Sequence, residues 1–249
     1  MAINESINTM PIADSHCHIL PGIDDGSRNL EMTLNMLKIA SSEGVTHMIA
    51  TPHFKINHRN ASTDIREKLL KEIENLAREN DIPIRLYLGN EVMFFNDLES
   101  VYADKEICTM NGTDYLLIEF YPDDEFMKIR RGLETVFELG LIPVLAHAER
   151  YTALRKSIPN TKLLADMGVI ISVNASSLAG QLGFSTKWYI KKLIKNKIVS
   201  LVSSDAHDDT RRTPSFKECC RYLQKISDEE YIKDILFRNA VEFFELETK

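Results

Sequence analysis

The chain has 249 residues, 44% hydrophobic and 27% charged, with a formal net charge of −7. That is ordinary globular composition, long enough for one α/β barrel or two smaller domains. It excludes a basic nucleic-acid arm, and no apolar run approaches the roughly 18 residues of a membrane helix. We therefore expect a cytoplasmic protein with no direct membrane insertion. Residues 1–10 are polar, lack the apolar core of a signal peptide, and read as an extension ahead of a domain at residues 11–249. The four cysteines, Cys17, Cys108, Cys219 and Cys220, show no zinc-type spacing, so reduced thiols are their simplest state.

In chain order, Met10 to Ala13 is the apolar start of a strand that runs into Asp14-Ser15-His16-Cys17-His18. Alternation in a strand puts His16 and His18 on one face, close enough for two imidazoles to meet one ion, with Cys17 facing away. Pro21-Gly22 and Asp25-Gly26 are turn chemistry that curls a loop over the strand end. Leu30, Leu34 and Leu37 then recur at helical spacing, with Ser27 as a candidate N-cap. Val45 to Ala50 is a second strand, ending at Thr51-Pro52-His53. Ile65, Leu69, Ile73 and Leu76 stripe a long charged helix. Ile84 to Leu88 alternates as a third strand ending at Gly89-Asn90-Glu91. Tyr115 to Phe120 is a fourth strand, followed by a helix marked by Ile129, Leu133 and Val136. Leu141 to Ala146 is the fifth strand, ending at His147, and Val169 to Val173 the sixth. A basic helix spans Trp188 to Lys197. Ile198 to Val202 is the seventh strand, ending in Ser203-Ser204-Asp205-Ala206-His207, and Pro214 to Glu247 reads as helical.

Seven β-then-α units without a linker imply one parallel sheet. Because nearly every strand ends in ionisable residues, a barrel with its site at the strand C-termini fits better than an open sheet. Those ends carry His16, His18, His53, Glu91, Glu119, His147, Asp205 and His207, with Asp25 in the first loop. Glu119 is the sharpest signal, since an acid within Leu-Leu-Ile-Glu-Phe is costly unless paired or metal-bound. Carboxylates converging without cations would repel one another, so two or three divalent ions are expected among them. Mixed imidazole and carboxylate ligation suits manganese, iron, zinc or cobalt better than calcium. His47 reads as a packed or hydrogen-bonded core residue, His58 as a solvated loop residue, and the lysines of 191–197 as a solvated helix face. Phe94, Phe95 and Tyr121 fit either a substrate rim or ordinary packing.

As an ordered set, the opening stretch with Asp-Asp-Gly, then Ala-Thr-Pro-His, Gly-Asn-Glu, Leu-Ile-Glu-Phe, Leu-Ala-His-Ala-Glu-Arg and Ser-Asp-Ala-His, resembles the polymerase-and-histidinol-phosphatase (PHP) superfamily. More narrowly, it resembles the bacterial tyrosine phosphatases of that superfamily encoded with capsule and exopolysaccharide genes. The resemblance implies a single-domain α/β fold, a distorted TIM-like (βα)7 barrel. It implies three divalent ions, manganese foremost with iron, cobalt, zinc or magnesium as alternatives. The ions would be held by His16, His18, His53, Glu91, Glu119, His147, Asp205 and His207, with Glu119 bridging two of them. Asp25 falls where the family has an acidic site residue, with Asp24 the weaker match. Arg150 matches a phosphate-binding arginine, and Arg211 and Arg212 compete for a second such role, Arg212 preferred. The implied substrate is the phosphotyrosine tail of a membrane-associated bacterial tyrosine kinase. The extension before the first strand departs from the family's usual start.

Hydrolysis by activated water would need no thiol, and no cysteine here has an arginine six positions later. Asp208 and His207 are both candidates for assisting departure of the leaving group. Rival readings are a PHP phosphoesterase acting on histidinol phosphate or a nucleotide, a metal-dependent amidohydrolase, and a non-catalytic kinase-binding module. The amidohydrolase class usually recruits a bridging lysine, and the strand-ending segments carry none.

Overall fold

The structure is a computed structural model that describes residues 10–248. The expected extension at residues 1–10 lies outside the described residues except for Met10. Strands β1 (Ile12–Cys17), β2 (Val45–Ala50), β3 (His53–Phe54), β4 (Arg85–Leu88), β5 (Glu91–Met93), β6 (Tyr115–Glu119), β7 (Ile142–Leu145), β8 (Ile170–Asn174) and β9 (Leu201–Ser203) are all parallel to their neighbours. Between them lie helices α1 (Leu30–Ser42), α2 (Thr63–Glu79), α3 (Leu98–Ala103), α4 (Phe126–Glu138), α5 (Thr152–Arg155), α6 (Ile158–Asp166), α7 (Ala175–Ala179) and α8 (Gly183–Lys195). The chain ends in α9 (Lys217–Ile226), α10 (Glu229–Lys233), a π-helical turn over Asp234–Arg238, and α11 (Asn239–Phe243).

The seven expected strands appear as nine segments among the described residues. The second and third are each broken just before the ionisable residue they deliver, His53 and Glu91. Thr51-Pro52 separates β2 from β3, because proline has no N–H for the ladder. Gly89-Asn90 separates β4 from β5. The segments form two sheets, ordered β1-β2-β4 and β3-β5-β6-β7-β8-β9. Beyond the strand ends the sheet curls back on itself: Asp205 N donates to His16 O at 2.8 Å and His18 N to Ala206 O at 2.9 Å.

Two apolar layers follow from strand alternation. Leu116 and Ile118 of β6 face outward, packing with Ile129, Leu133 and Val136 of α4. Leu117 faces inward with Ala13, Ile49, Val144 and Leu201, and Phe244 and Leu246 from the C-terminal segment join that inner cluster. Glu119 is two residues beyond Leu117, on the inner face. Thus the inside of the curl is apolar at one end and ionisable at the other.

Three local expectations are corrected. Asn29 rather than Ser27 caps α1, its side chain accepting from Met32 N at 2.9 Å, while the Ser27 hydroxyl bonds Thr33 Oγ1 at 2.8 Å. Also in α1, Leu30 lies at the surface, and Met32, Met36, Leu37 and Ala40 supply the buried face. On α2 the buried face is rotated: Arg66, Ile73 and Ala77 point inward, and Ile65 is 49% exposed. A charged residue holds an inward position there because its guanidinium bonds uncharged partners: Asn90 Oδ1, Thr63 Oγ1 at 2.9 Å and the Glu106 carbonyl at 2.6 Å.

Candidate active site

His16 and His18 emerge at the end of β1 with Nε2 atoms 3.2 Å apart. Each lies 3.2 Å from Glu91 Oε2 and 3.6 Å from Asp205 Oδ1. The β3–β5 register sets His53 beside Glu91, and His53 Nδ1 is 3.0 Å from Glu91 Oε2 and 3.2 Å from Glu119 Oε1. His147 Nε2 meets Glu91 Oε1 at 2.8 Å and Glu119 Oε2 at 3.6 Å. Asp25, the most exposed of the set, reaches His53 at 3.3 Å and His207 at 3.7 Å.

Three groups of ligand atoms are close enough to enclose an ion: His18, Asp25, His53 and His207; His16, His18, Glu91 and Asp205; and His53, Glu91 and Glu119. Each pair of groups shares one residue. Glu91 spans most of the centre, with Oε2 toward three imidazoles and Oε1 toward His147. Glu119 is also placed to bridge, its two oxygens facing His53 and His147.

The donor set fits divalent metal. Glu119 Oε1, Asp205 Oδ1 and His53 Nδ1 are buried without a hydrogen bond, although each faces other ligand atoms. Burying such polar atoms costs several kcal/mol unless a cation or hydrogen-bond partner meets them, on the order of 2–7 each. Burial alone would lower the pKa of His18, His53 and His147. The surrounding carboxylates outweigh it, holding His18 and His147 up to about 9 and His53 up to about 12. The same centre holds Glu91 and Asp205 below the usual carboxylate range despite burial. The site therefore stabilises positive charge among acidic ligands. Its ligands are nitrogen and oxygen only, the pattern of manganese, iron, zinc or cobalt sites. Cys17 faces away into the core, as alternation requires.

A second ring fixes these groups. Asp24 Oδ2 accepts from His18 Nδ1 at 2.8 Å and from His53 N at 3.1 Å, leaving His18 Nε2 for the centre. Gly26 presses on His18: a Cβ there would lie 2.4 Å from His18 Cβ. Asp14, fully buried, accepts from Ser204 N at 2.8 Å and Ser204 Oγ at 2.6 Å, tying β1 to the Asp205 segment; burial raises its pKa to about 6. Asn174 donates to Asp205 Oδ2 at 2.9 Å, and its own N–H goes to Glu149. Tyr151 OH accepts from Phe120 N at 3.2 Å. His147 and Asp205 hold left-handed backbone at φ 34° and 52°, a strained conformation that clusters at functional sites.

The structure brings together His16, His18, Asp25, His53, Glu91, Glu119, His147, Asp205 and His207. Asp14, Asn174 and Tyr151 carry no signal in the strand-end pattern, and Asp24, the weaker match beside Asp25, is the one that holds His18. Arg150 and Arg212 both bond Asp205 Oδ2, Arg212 at 2.9 Å, and both reach the surface. Arg211 is exposed, and among the described residues only its backbone N–H is engaged, by Asp208. Burial and the neighbouring His18 charge push His207 down to about 3. Four backbone and side-chain donors hold Asp208 at about 2 although burial opposes them, so neither group carries a proton near neutral pH. His47 is a bonded core residue and His58 an exposed loop residue, as expected.

Residues 12–245 match the family of capsular polysaccharide synthesis proteins CpsB/CapC, and the chain belongs to that family. It is 32% identical over 214 residues to the tyrosine-protein phosphatase YwqE of Bacillus subtilis, covering 85% of this chain and 84% of YwqE. It is 28% identical over 232 residues to the tyrosine-protein phosphatase CpsB of Streptococcus agalactiae, covering 91% of this chain and 96% of that one. A crystal structure from a study of YwqE and Streptococcus pneumoniae CpsB, called unique metal-dependent tyrosine phosphatases, superposes with a TM-score of 0.86. It is 27% identical and covers 95% of this chain and 96% of that one.

Proposed function

We propose that this chain is a metal-dependent protein tyrosine phosphatase acting in capsular or exopolysaccharide synthesis. The observation that carries the reading is the convergence of imidazoles and carboxylates at one end of the curled sheet, in a chain of the CpsB/CapC family. His16, His18, His53, Glu91, Glu119, His147, Asp205 and His207 hold three divalent ions, manganese foremost, with Asp25 closing the group at the mouth. Bound there, the ions would supply Lewis acidity and lower the pKa of water, giving a nucleophile near neutral pH. Arg150 and Arg212 turn their planar donor pairs from Asp205 Oδ2 to the phosphate oxygens. Asn174 keeps that carboxylate oxygen satisfied when they do. With His207 and Asp208 both unprotonated, the tyrosine leaves as phenolate, which its ordinary pKa near ~10 allows without a strong acid.

The accompanying fold reading is a distorted seven-stranded βα barrel over residues 11–249, in which β2 with β3 and β4 with β5 are single passages. The substrate is the phosphotyrosine tail of a membrane-associated bacterial tyrosine kinase, met in the cytoplasm. Two features are consistent with that place: the cysteines are free, and no helix among the described residues is long and apolar enough to cross a membrane.

The test compares a phosphotyrosine peptide with histidinol phosphate after chelation and re-addition of manganese, iron, cobalt, zinc or magnesium singly. The expected result is manganese-dependent turnover of the peptide, reduced by at least about 100-fold in His16→Ala. Turnover of histidinol phosphate alone, or full activity in His16→Ala, overturns the reading.

A further inference from the structure

A cavity of about 590 Å³ opens beside Asp205, Arg150 and Arg212 and runs toward α7 and α9. Its charges are unevenly matched. Asp205 is engaged by Arg150 and Arg212. Glu43 accepts from Phe216 N at 2.8 Å and Lys217 N at 2.7 Å, and it pairs with the Lys217 ammonium at 3.4 Å. The other two arginines of the lining, Arg211 and Arg221, are exposed and have no ion-pair partner among the described residues. Glu218 is the remaining acid of the wall and makes no ion pair with either. A positive excess of this kind stands out in a chain of net charge −7.

A second feature points to a ligand. Ser177 also lines this cavity, is 1% exposed, and its Oγ has no hydrogen-bond partner among the described residues. A buried hydroxyl is normally satisfied, and a small shift of the wall would let a partner in the cavity satisfy this one. The cavity shares Asp205, Arg150 and Arg212 with the reaction site, so one substrate molecule can reach both.

Building on the phosphatase reading, we propose that this cavity is a specificity subsite for an acidic side chain flanking the phosphotyrosine, gripped by Arg221 and Arg211 with Ser177 donating from the wall. The guanidinium fork matches a carboxylate. The site thus recognises an acidic peptide rather than phosphotyrosine alone.

The experiment uses the manganese-loaded full chain and three phosphotyrosine peptides that differ only in flanking Glu, Gln or Lys, with p-nitrophenyl phosphate as a substrate lacking flanks. Wild type is expected to favour the Glu peptide over the Gln peptide by about fivefold in kcat/KM, through KM, less so at high salt. Arg221→Gln brings that ratio close to one, Arg221→Lys retains most of it, and Arg221→Glu favours the Lys peptide. All three leave p-nitrophenyl phosphate turnover unchanged. Equal turnover of the three peptides by wild type overturns the subsite and leaves the phosphatase reading standing. So does an Arg221→Gln loss shared equally by all substrates. Failure to hydrolyse any phosphotyrosine peptide overturns both.

Discussion

Asp205 carries opposite duties on its two oxygens. Oδ2 is held by Asn174, Arg150 and Arg212, so Oδ1 is left bare toward His16 and His18. Asp24 does the complementary work on the imidazole side. By accepting from His18 Nδ1 it sets the tautomer with a free Nε2, and by accepting from His53 N it anchors the start of β3. Asp24→Asn retains the side chain's size but loses the negative charge and half the acceptor capacity. Carboxylates behind metal-bound histidines are typically worth about 10–100-fold in affinity or activity. We therefore expect Asp24→Asn to weaken metal binding by about tenfold or more in competition with a chromogenic chelator, with little change in secondary structure. Unchanged affinity would mean that Gly26 packing alone orients His18.

At the scale of elements, the strand breaks matter more than the strands. Asn90 stands in the β4–β5 break and bonds on three sides. Its Oδ1 accepts from Cys108 N at 2.9 Å and from Arg66, while its Nδ2 donates to the Pro52 carbonyl at 2.9 Å. One side chain therefore ties together α2, the break before His53 and the break before Glu91. Asn90→Ala leaves Arg66 Nη1 without its acceptor while Thr63 and Glu106 still hold Nη2, and it frees the part-buried Cys108 N–H, a change that costs about 1–3 kcal/mol. Urea unfolding should record that loss, and metal affinity should fall with it because His53 and Glu91 lose a shared anchor. The strands themselves were legible in the sequence because apolar alternation is a local signal. The residues that converge at the site were legible because strand ends carry them. Arg66 and Asn90 were not. A lysine- and glutamate-rich helix does not reveal which of its charges turns inward, and Asn90 finds its partners 24, 18 and 38 residues away. Asn174 and Tyr151 were missed for the same reason, since their importance lies in what they touch across the sheet.

For the whole molecule, the ionisable end of the curl depends on the apolar end being closed, and the C-terminal segment closes it. Phe244 is fully buried in the inner cluster, and its carbonyl accepts from Asn111 at 2.9 Å. Glu247 is held from three sides: its carbonyl takes Arg85 and His47 Nε2, the latter at 2.6 Å, and its N–H reaches Tyr87 OH at 3.1 Å. A carbonyl can only accept, so His47 carries its proton on Nε2, and Nδ1 accepts from Thr46 Oγ1 at 2.8 Å. Burial chiefly, with the Arg85 charge adding to it, lowers the His47 pKa below 6.5 although the Glu247 bond opposes them. Between the folded-state value and 6.5 the unfolded chain binds the extra proton. Stability is then complete above about pH 6.5 and is lost as pH falls through that value, with a slope of at most about 1.4 kcal/mol per pH unit for one proton. His47→Gln can still donate to Glu247 and does not titrate. Urea unfolding at pH 7.5, 6.5 and 5.5 should therefore show a shallower loss of stability in the variant than in wild type. The centre's own histidines titrate in both proteins and cancel in the difference. Equal slopes would show that His47 is protonated in the folded chain without cost, and that the C-terminal closure does not sense pH.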